Sequence, residues 1–319
     1  MKRLFLICIS FLILFLAACT DKEQVSQTED DKLTVYTTVY PLQYFTERIA
    51  GDKATVASIY PPGSNEHTFE PTQKDMIALA DADLFFYIGL GLEGFVEKAE
   101  KTLKNEHVKM IAAIDGVSDE ELEVGHKETE DKHDHEEIDH ADHDHGDTDP
   151  HVWISPKISQ SLALTIKESL VEIAPEQEAY FQQNYEELID ELKQLDDKYE
   201  KMAADAKTKT FFVSHAAFGY IANTYGLEQV AIAGLNSQNE PSQKELTKLI
   251  DLARDKNIQY ILFEQNVSSK LTETIQQEIG ADSLVLHNLS VLSKDDIKNK
   301  EDYFTLMERN LKTFQKALN

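Results

Sequence analysis

Phe181-Gln-Gln-Asn-Tyr185-Glu-Glu-Leu188-Ile-Asp-Glu-Leu192-Lys-Gln-Leu195-Asp-Asp-Lys-Tyr199-Glu-Lys-Met202 sets its large apolar residues at alternating steps of four and three. That spacing puts Phe181, Tyr185, Leu188, Leu192, Leu195, Tyr199 and Met202 on one stripe of an α-helix, with Asp, Glu, Lys and Gln on the remaining faces. Taken from Glu176 to about Ala206, the helix is roughly 45 Å long at the α-helical rise, enough to run the height of two stacked lobes. A coiled-coil dimer would use the same seam, but about three heptads make a short one, and the reading is of a monomer.

On both sides of this helix the pattern alternates strand and helix. Upstream, Leu33–Val39 reads as a strand, Pro41 opens a helix that Gly51 ends, Ala54–Tyr60 is a second strand, and Thr72 caps a helix to about Ala80. Strands at Leu84–Ile88 and Val108–Ile114 flank a helix over Leu92–Leu103. Ser155-Pro156 caps a helix to Ile173, and Pro175 starts the long one. Downstream, strands near Thr210–Val213, Gln229–Ile232, Tyr260–Phe263 and Ser283–Leu286 alternate with helices at Ala216–Tyr225, Ser242–Lys256, Ser269–Ile279 and Tyr303–Leu318. The fold class is therefore α/β: two βα lobes with mainly parallel sheets joined by one long backbone helix. The N-terminal lobe is expected over 32–156, helices including the linking one over 157–207, and the C-terminal lobe over 208–319.

The chain opens Met1-Lys2-Arg3, runs apolar from Leu4 to Leu16, and reaches Leu16-Ala17-Ala18-Cys19. This combines a positive start, an apolar run too short to span a bilayer comfortably, and small residues before a cysteine, and predicts a lipoprotein signal peptide over 1–18. Cys19 is the expected lipidation site, followed by a polar, acidic tether over 19–31. The protein is thus expected outside the cytoplasm, anchored by lipid to the outer face of the cell membrane. Only Cys8 and Cys19 are cysteines, so the domain beyond them holds no internal disulfide and must be stabilised by packing. A formal charge of −27 excludes nucleic acid, which needs a basic footprint, and favours a cationic ligand.

Histidines supply a chemistry for that cation. His67, His151 and His215 stand on three distant loops, each at or soon after an apolar strand-like run. In parallel sheets ligands bind beyond the carboxyl ends of the strands. Imidazole nitrogen suits zinc, whereas calcium and magnesium prefer oxygen shells. One zinc site is expected. Six more histidines, His126, His133, His135, His140, His143 and His145, lie in an Asp/Glu-rich loop over 118–147 with almost no apolar residues to bury. It reads as a low-affinity zinc collector beside the main site, or as a merely solvated insertion. His107 reads as a surface residue.

Several segments together resemble the zinc-binding solute-binding lipoproteins of metal ABC transporters (cluster A-I, zinc-specific members). They are Val39-Tyr-Pro-Leu42, Gly63-Ser-Asn-Glu-His-Thr-Phe-Glu-Pro71, Asp81-Ala-Asp-Leu84, Asp149-Pro-His-Val-Trp-Ile-Ser-Pro156, Ser214-His-Ala-Ala-Phe-Gly-Tyr220, and Ala233-Gly-Leu235 followed by Glu240-Pro-Ser242. The resemblance spans nearly the whole chain. It implies one Zn2+ held between the lobes by His67, His151 and His215, and His215 in place of a carboxylate implies zinc over manganese. It further implies delivery of that ion to an ABC-type membrane permease and, through it, a cytoplasmic ATPase, with no enzymatic activity. Where many zinc members carry a glutamate in a Leu-Glu-Gly-Leu turn, this chain has Leu289-Ser290-Val291-Leu292. The fourth ligand is then Glu66, His287 or water. The alternatives are a zinc-dependent hydrolase, for which no HExxH or nucleophile motif is found, and a zinc-stabilised surface adhesin.

Overall fold

In the computed structural model, residues 32–126, 148–239, 241–265 and 270–319 are described. The first lobe is built on four strands, β1 (Leu33–Thr37), β2 (Ala54–Ser58), β3 (Leu84–Tyr87) and β4 (Lys109–Ala112), in the spatial order β2-β1-β3-β4. The second uses β5 (Thr210–His215), β6 (Glu228–Ala233), β7 (Tyr260–Glu264) and β8 (Asp282–Leu286) in the order β6-β5-β7-β8. Every pairing is parallel, with registers such as Val35 opposite Val56 and Phe212 opposite Ile261. Parallel neighbours need crossovers, and helices supply them. In the first lobe these include α1 (Tyr40–Ala50), α2 (Gln73–Ala80) and α3 (Val96–Leu103), and a short α4 (Asp119–Glu123) follows β4.

Local chemistry explains where these helices begin and end. Pro41 lies in the first turn of α1, and Gly51 ends it at φ +54, where a side chain would also collide with Tyr180. Thr72 and Asp75 form a reciprocal capping box on α2. Ser155 and Pro156 start α5 (Pro156–Ile173), and α6 (Glu178–Asp205) is the long linking helix. Its 28 residues make about 42 Å at the α-helical rise. The apolar stripe is buried from Phe181 to Met202, apart from Tyr185, which is only partly covered.

Each half of α6 is fastened to a different lobe. Near its start, Asn184 donates to the Ile49 carbonyl at 3.0 Å, and Glu191 receives both guanidinium arms of Arg48 at 2.6 and 3.1 Å. Near its end, Tyr225 donates to Asp196 at 2.6 Å, and Tyr199 donates to the Met307 carbonyl on α11 (Tyr303–Ala317) at 2.8 Å. The remaining helices of the second lobe are α7 (Gly219–Thr224), α8 (Gln243–Asp255), α9 (Lys270–Ile279) and α10 (Lys294–Asn299). The main core runs through both lobes and the helices between them. A separate cluster of Phe212, Ile232, Ala253, Ile261 and Ile275 lies beneath α8 and α9.

Several boundaries differ from the sequence reading. The expected helix at Leu92 begins at Val96, after a turn. Residues 118–126, assigned to the acidic insertion, are folded: Ser118 and Glu121 cap α4, and a 3-10 turn follows at Val124–His126. The signal segment with Cys8 and Cys19, the tether to residue 31, and His133, His135, His140, His143 and His145 lie outside the described residues.

Candidate metal centre

His67, His151 and His215 each come from a different piece of the fold. His67 sits in the loop between β2 and α2, His151 just before the 3-10 turn Val152–Ile154, and His215 at the last position of β5. Among the described residues, Glu66, His67, His151 and His215 form one group of possible metal donors whose ligand atoms all lie within 4.8 Å of one another. Glu66, His151 and His215 are buried, and His67 is partly buried.

The nitrogens are ordered by what stands behind them. Asp149 accepts from Nδ1 of His151 at 2.7 Å and from its backbone N–H at 2.9 Å. Glu264, the last residue of β7, accepts from Nδ1 of His215 at 2.5 Å and from the Ser214 hydroxyl at 2.8 Å. An imidazole that donates through Nδ1 carries its lone pair on Nε2. Nε2 of His151 lies 3.3 Å from Nε2 of His215 and 3.3 Å from Nε2 of His67. A tetrahedral zinc with Zn–N bonds near 2.0–2.1 Å requires an edge of about 3.3 Å between nitrogens. Gly219 keeps the arrangement open, because a Cβ there would meet the Asp149 carboxylate. The buried Trp153 ring packs 5.3 Å from His151.

Burial, together with the charges of the other two imidazoles, pushes His67 down to about 3, so it is neutral at ordinary pH. Burial opposes charge on His215 too, but the carboxylate of Glu264, both as a charge and as a hydrogen-bond acceptor, overrides it and raises the group. Burial acts to raise Glu264, yet His215 and Ser214 hold it below its ordinary value. Burial raises Glu66, although its own backbone N–H and the imidazoles of His151 and His215 work against this. A divalent cation would relieve that cost, because it brings two positive charges to a buried carboxylate and three donor nitrogens.

His287 does not join the cluster. Its Nδ1 accepts from the Leu289 N–H at 2.9 Å, so its Nε2 donates to Asp296, 3.1 Å away, and both ring nitrogens are engaged. Ser290 directs its N–H and hydroxyl to Asn288 at 3.1 and 2.9 Å. His107 pairs with Asp83 on the surface, at 2.9 Å. Sequence reasoning missed Glu264 and Asn288. A lone acid closing the apolar strand Tyr260–Glu264 was the available signal for the first.

The family described as ZnuA, zinc-uptake complex component A, periplasmic, matches residues 35–317. The high-affinity zinc uptake system protein ZnuA of Bacillus subtilis is 39% identical over 316 residues, covering 99% of this chain and 97% of that protein. The zinc-binding lipoprotein AdcA of Streptococcus pneumoniae is 38% identical over 321 residues; this chain spans 61% of that relative's length. The crystal structure of the Zn(II)-bound ZnuA-like domain of that AdcA superposes with a TM-score of 0.72 at 36% identity, covering 90% of this chain and 99% of the domain. The paired parallel sheets, the long helix between them and the match over nearly the whole folded region lead to one conclusion: the chain belongs to the ZnuA family.

Proposed function

We propose that this protein captures Zn2+ outside the cytoplasm and hands it to an ABC-type permease for import, with His67, His151, His215 and Glu66 as the four ligands. The observation that carries the reading is the pair of 3.3 Å Nε2 separations, the edge length of a tetrahedral zinc shell, between imidazoles of which two are anchored from behind by carboxylates. Zinc here is cargo. Four protein ligands leave no open position for a reacting water, which catalytic zinc sites retain, so the arrangement favours binding and release over hydrolysis. Lipid attachment at Cys19 would keep the protein beside the permease; a relative named as a lipoprotein supports this. Among the described residues no helix is long and apolar enough to cross a membrane.

Zinc titration against a competing chelator tests the assignment. One tight zinc per chain is expected, and His215→Ala should greatly weaken it because a direct ligand is lost. A His215→Ala protein with unaltered affinity would remove this cluster as the capture site.

A further inference from the structure

Beyond β8 the chain crosses back to the first lobe. The Tyr40 N–H donates to the Ser290 carbonyl at 2.9 Å and the Gly63 N–H to that of Leu292 at 3.2 Å, which fixes the crossing segment against the first lobe. Asn288 heads this segment and is fully buried. Its backbone carbonyl accepts from the indole of Trp153 at 2.7 Å.

The side-chain amide of Asn288 has every capacity used. Its Oδ1 faces three donors: the Ser290 N–H at 3.1 Å, the Ser290 hydroxyl at 2.9 Å and Nε2 of Gln265 at 3.2 Å. These donors decide the orientation of the amide, since a flipped group would turn its NH2 toward donors and its oxygen toward two carboxylates. The NH2 therefore donates to Oε1 of Glu66 at 3.3 Å and to Oε2 of Glu264 at 3.1 Å. One carboxylate comes from the first lobe and the other from the second. Two buried acids facing the same space repel each other, and a donor shared between them offsets that repulsion.

The backbone beside Asn288 carries an independent sign of constraint. Leu289 is buried and held at φ +59, a left-handed conformation uncommon for a residue with a branched side chain. Such conformations persist where the surroundings over-determine them, and they gather at ligand clamps.

We infer that Asn288 is a positioning residue for zinc capture, its amide holding the Glu66 carboxylate toward the three imidazole nitrogens and tying it to the carboxylate that orients His215. The inference rests on Glu66 being the fourth ligand. Asn288 itself does not touch the metal; it acts through Glu66, with Glu264 anchoring its second N–H.

A double-mutant cycle separates this role from a merely structural one. Zinc affinity by chelator competition, and the visible spectrum of the Co2+-loaded protein, are measured for the full chain and for Glu66→Gln, Asn288→Ala and the double variant. Asn288→Ala should weaken zinc by about 10–100-fold, the usual effect of losing a group that orients a ligand, and should perturb the cobalt spectrum as Glu66→Gln does. In the Glu66→Gln background the same substitution should cost no more than about twofold, the scatter of additivity, because the carboxylate it acts through is already gone. An equal loss in both backgrounds overturns the role of Asn288 while leaving Glu66 a ligand. A Glu66→Gln protein with unchanged affinity and spectrum overturns the Glu66 assignment and this inference with it. Should Asn288→Ala fail to fold, Asn288→Asp keeps the size and the acceptors for Ser290 and Gln265 but loses the donor, and the same cycle is read on it.

Discussion

Nδ1 of His215 lies 2.5 Å from Oε1 of Glu264, and neither side chain reaches solvent. Without the carboxylate, the imidazole loses the partner that fixes its tautomer and ring angle, and a buried N–H is left unpaired. Glu264→Ala should therefore lower zinc affinity by about 10–100-fold without removing any ligand. Chelator competition reads the change; an affinity equal to the parent's would show that His215 orients itself.

Asp296 gives the protein an acid-sensitive joint away from the metal. Burial alone would raise its carboxyl, but hydrogen bonds from His287 and Ser293 outweigh it and hold the group well below the ordinary carboxylate value. A depressed acid contributes stability above its unfolded value of about 3.9 and loses it as pH falls through that region toward the folded value. Asp296→Asn should cost about 1–2 kcal/mol at neutral pH, through the α10 cap and the His287 contact. It should also flatten the decline in stability below about pH 5. Urea unfolding at pH 7, 5 and 3.5 tests both, and parallel pH curves for parent and variant would count against the assignment.

Replacing His133, His135, His140, His143 and His145 with asparagine should leave the single tight zinc event unchanged and remove additional weak equivalents. The sequence there has almost no apolar residues to bury, and ordering a chain around a metal costs about 1–2 kcal/mol per residue, so its sites are expected to bind less tightly than the anchored cluster. Tethered weak sites still raise the local zinc concentration. Calorimetric titration decides: loss of the tight event would mean that the segment supplies a direct ligand, and an unchanged zinc count that it is a solvated insertion.

Cys19→Ala should release the protein from the membrane or leave its signal uncleaved, because the sulfur that would carry the lipid is gone. Fractionation of cells making the variant, with a mass measurement of the mature chain, gives the answer. Normal processing and full retention in the membrane fraction would exclude lipidation at this residue.

What the sequence made legible was local. The 3.6-residue stripe of α6 and the caps at Thr72 and Ser155 depend on neighbours a few positions apart, and the structure has them as read. Two short helices escaped. The Ser118/Glu121 and Ser293/Asp296 boxes were both present, but each starts only five or six helical residues with little apolar periodicity. The three histidines stood out because imidazole is a specific chemistry at strand ends. That Glu66 stands with the three histidines and His287 does not rests on contacts outside the local pattern: Asn288 reaches Glu66 across 222 positions, and His287 pairs with Asp296.

The small cluster under α8 and α9 is walled off from the main core by the sheet it rests on, with Phe212 facing one side of β5 while Phe211 and Val213 serve the other. Peeling those two helices away would expose only that cluster and leave the helical spine and the first lobe dry. Amide hydrogens in α8 and α9 should then exchange at a lower opening energy than those of α6, making this layer a separate cooperative unit that can breathe while the rest of the molecule stays shut.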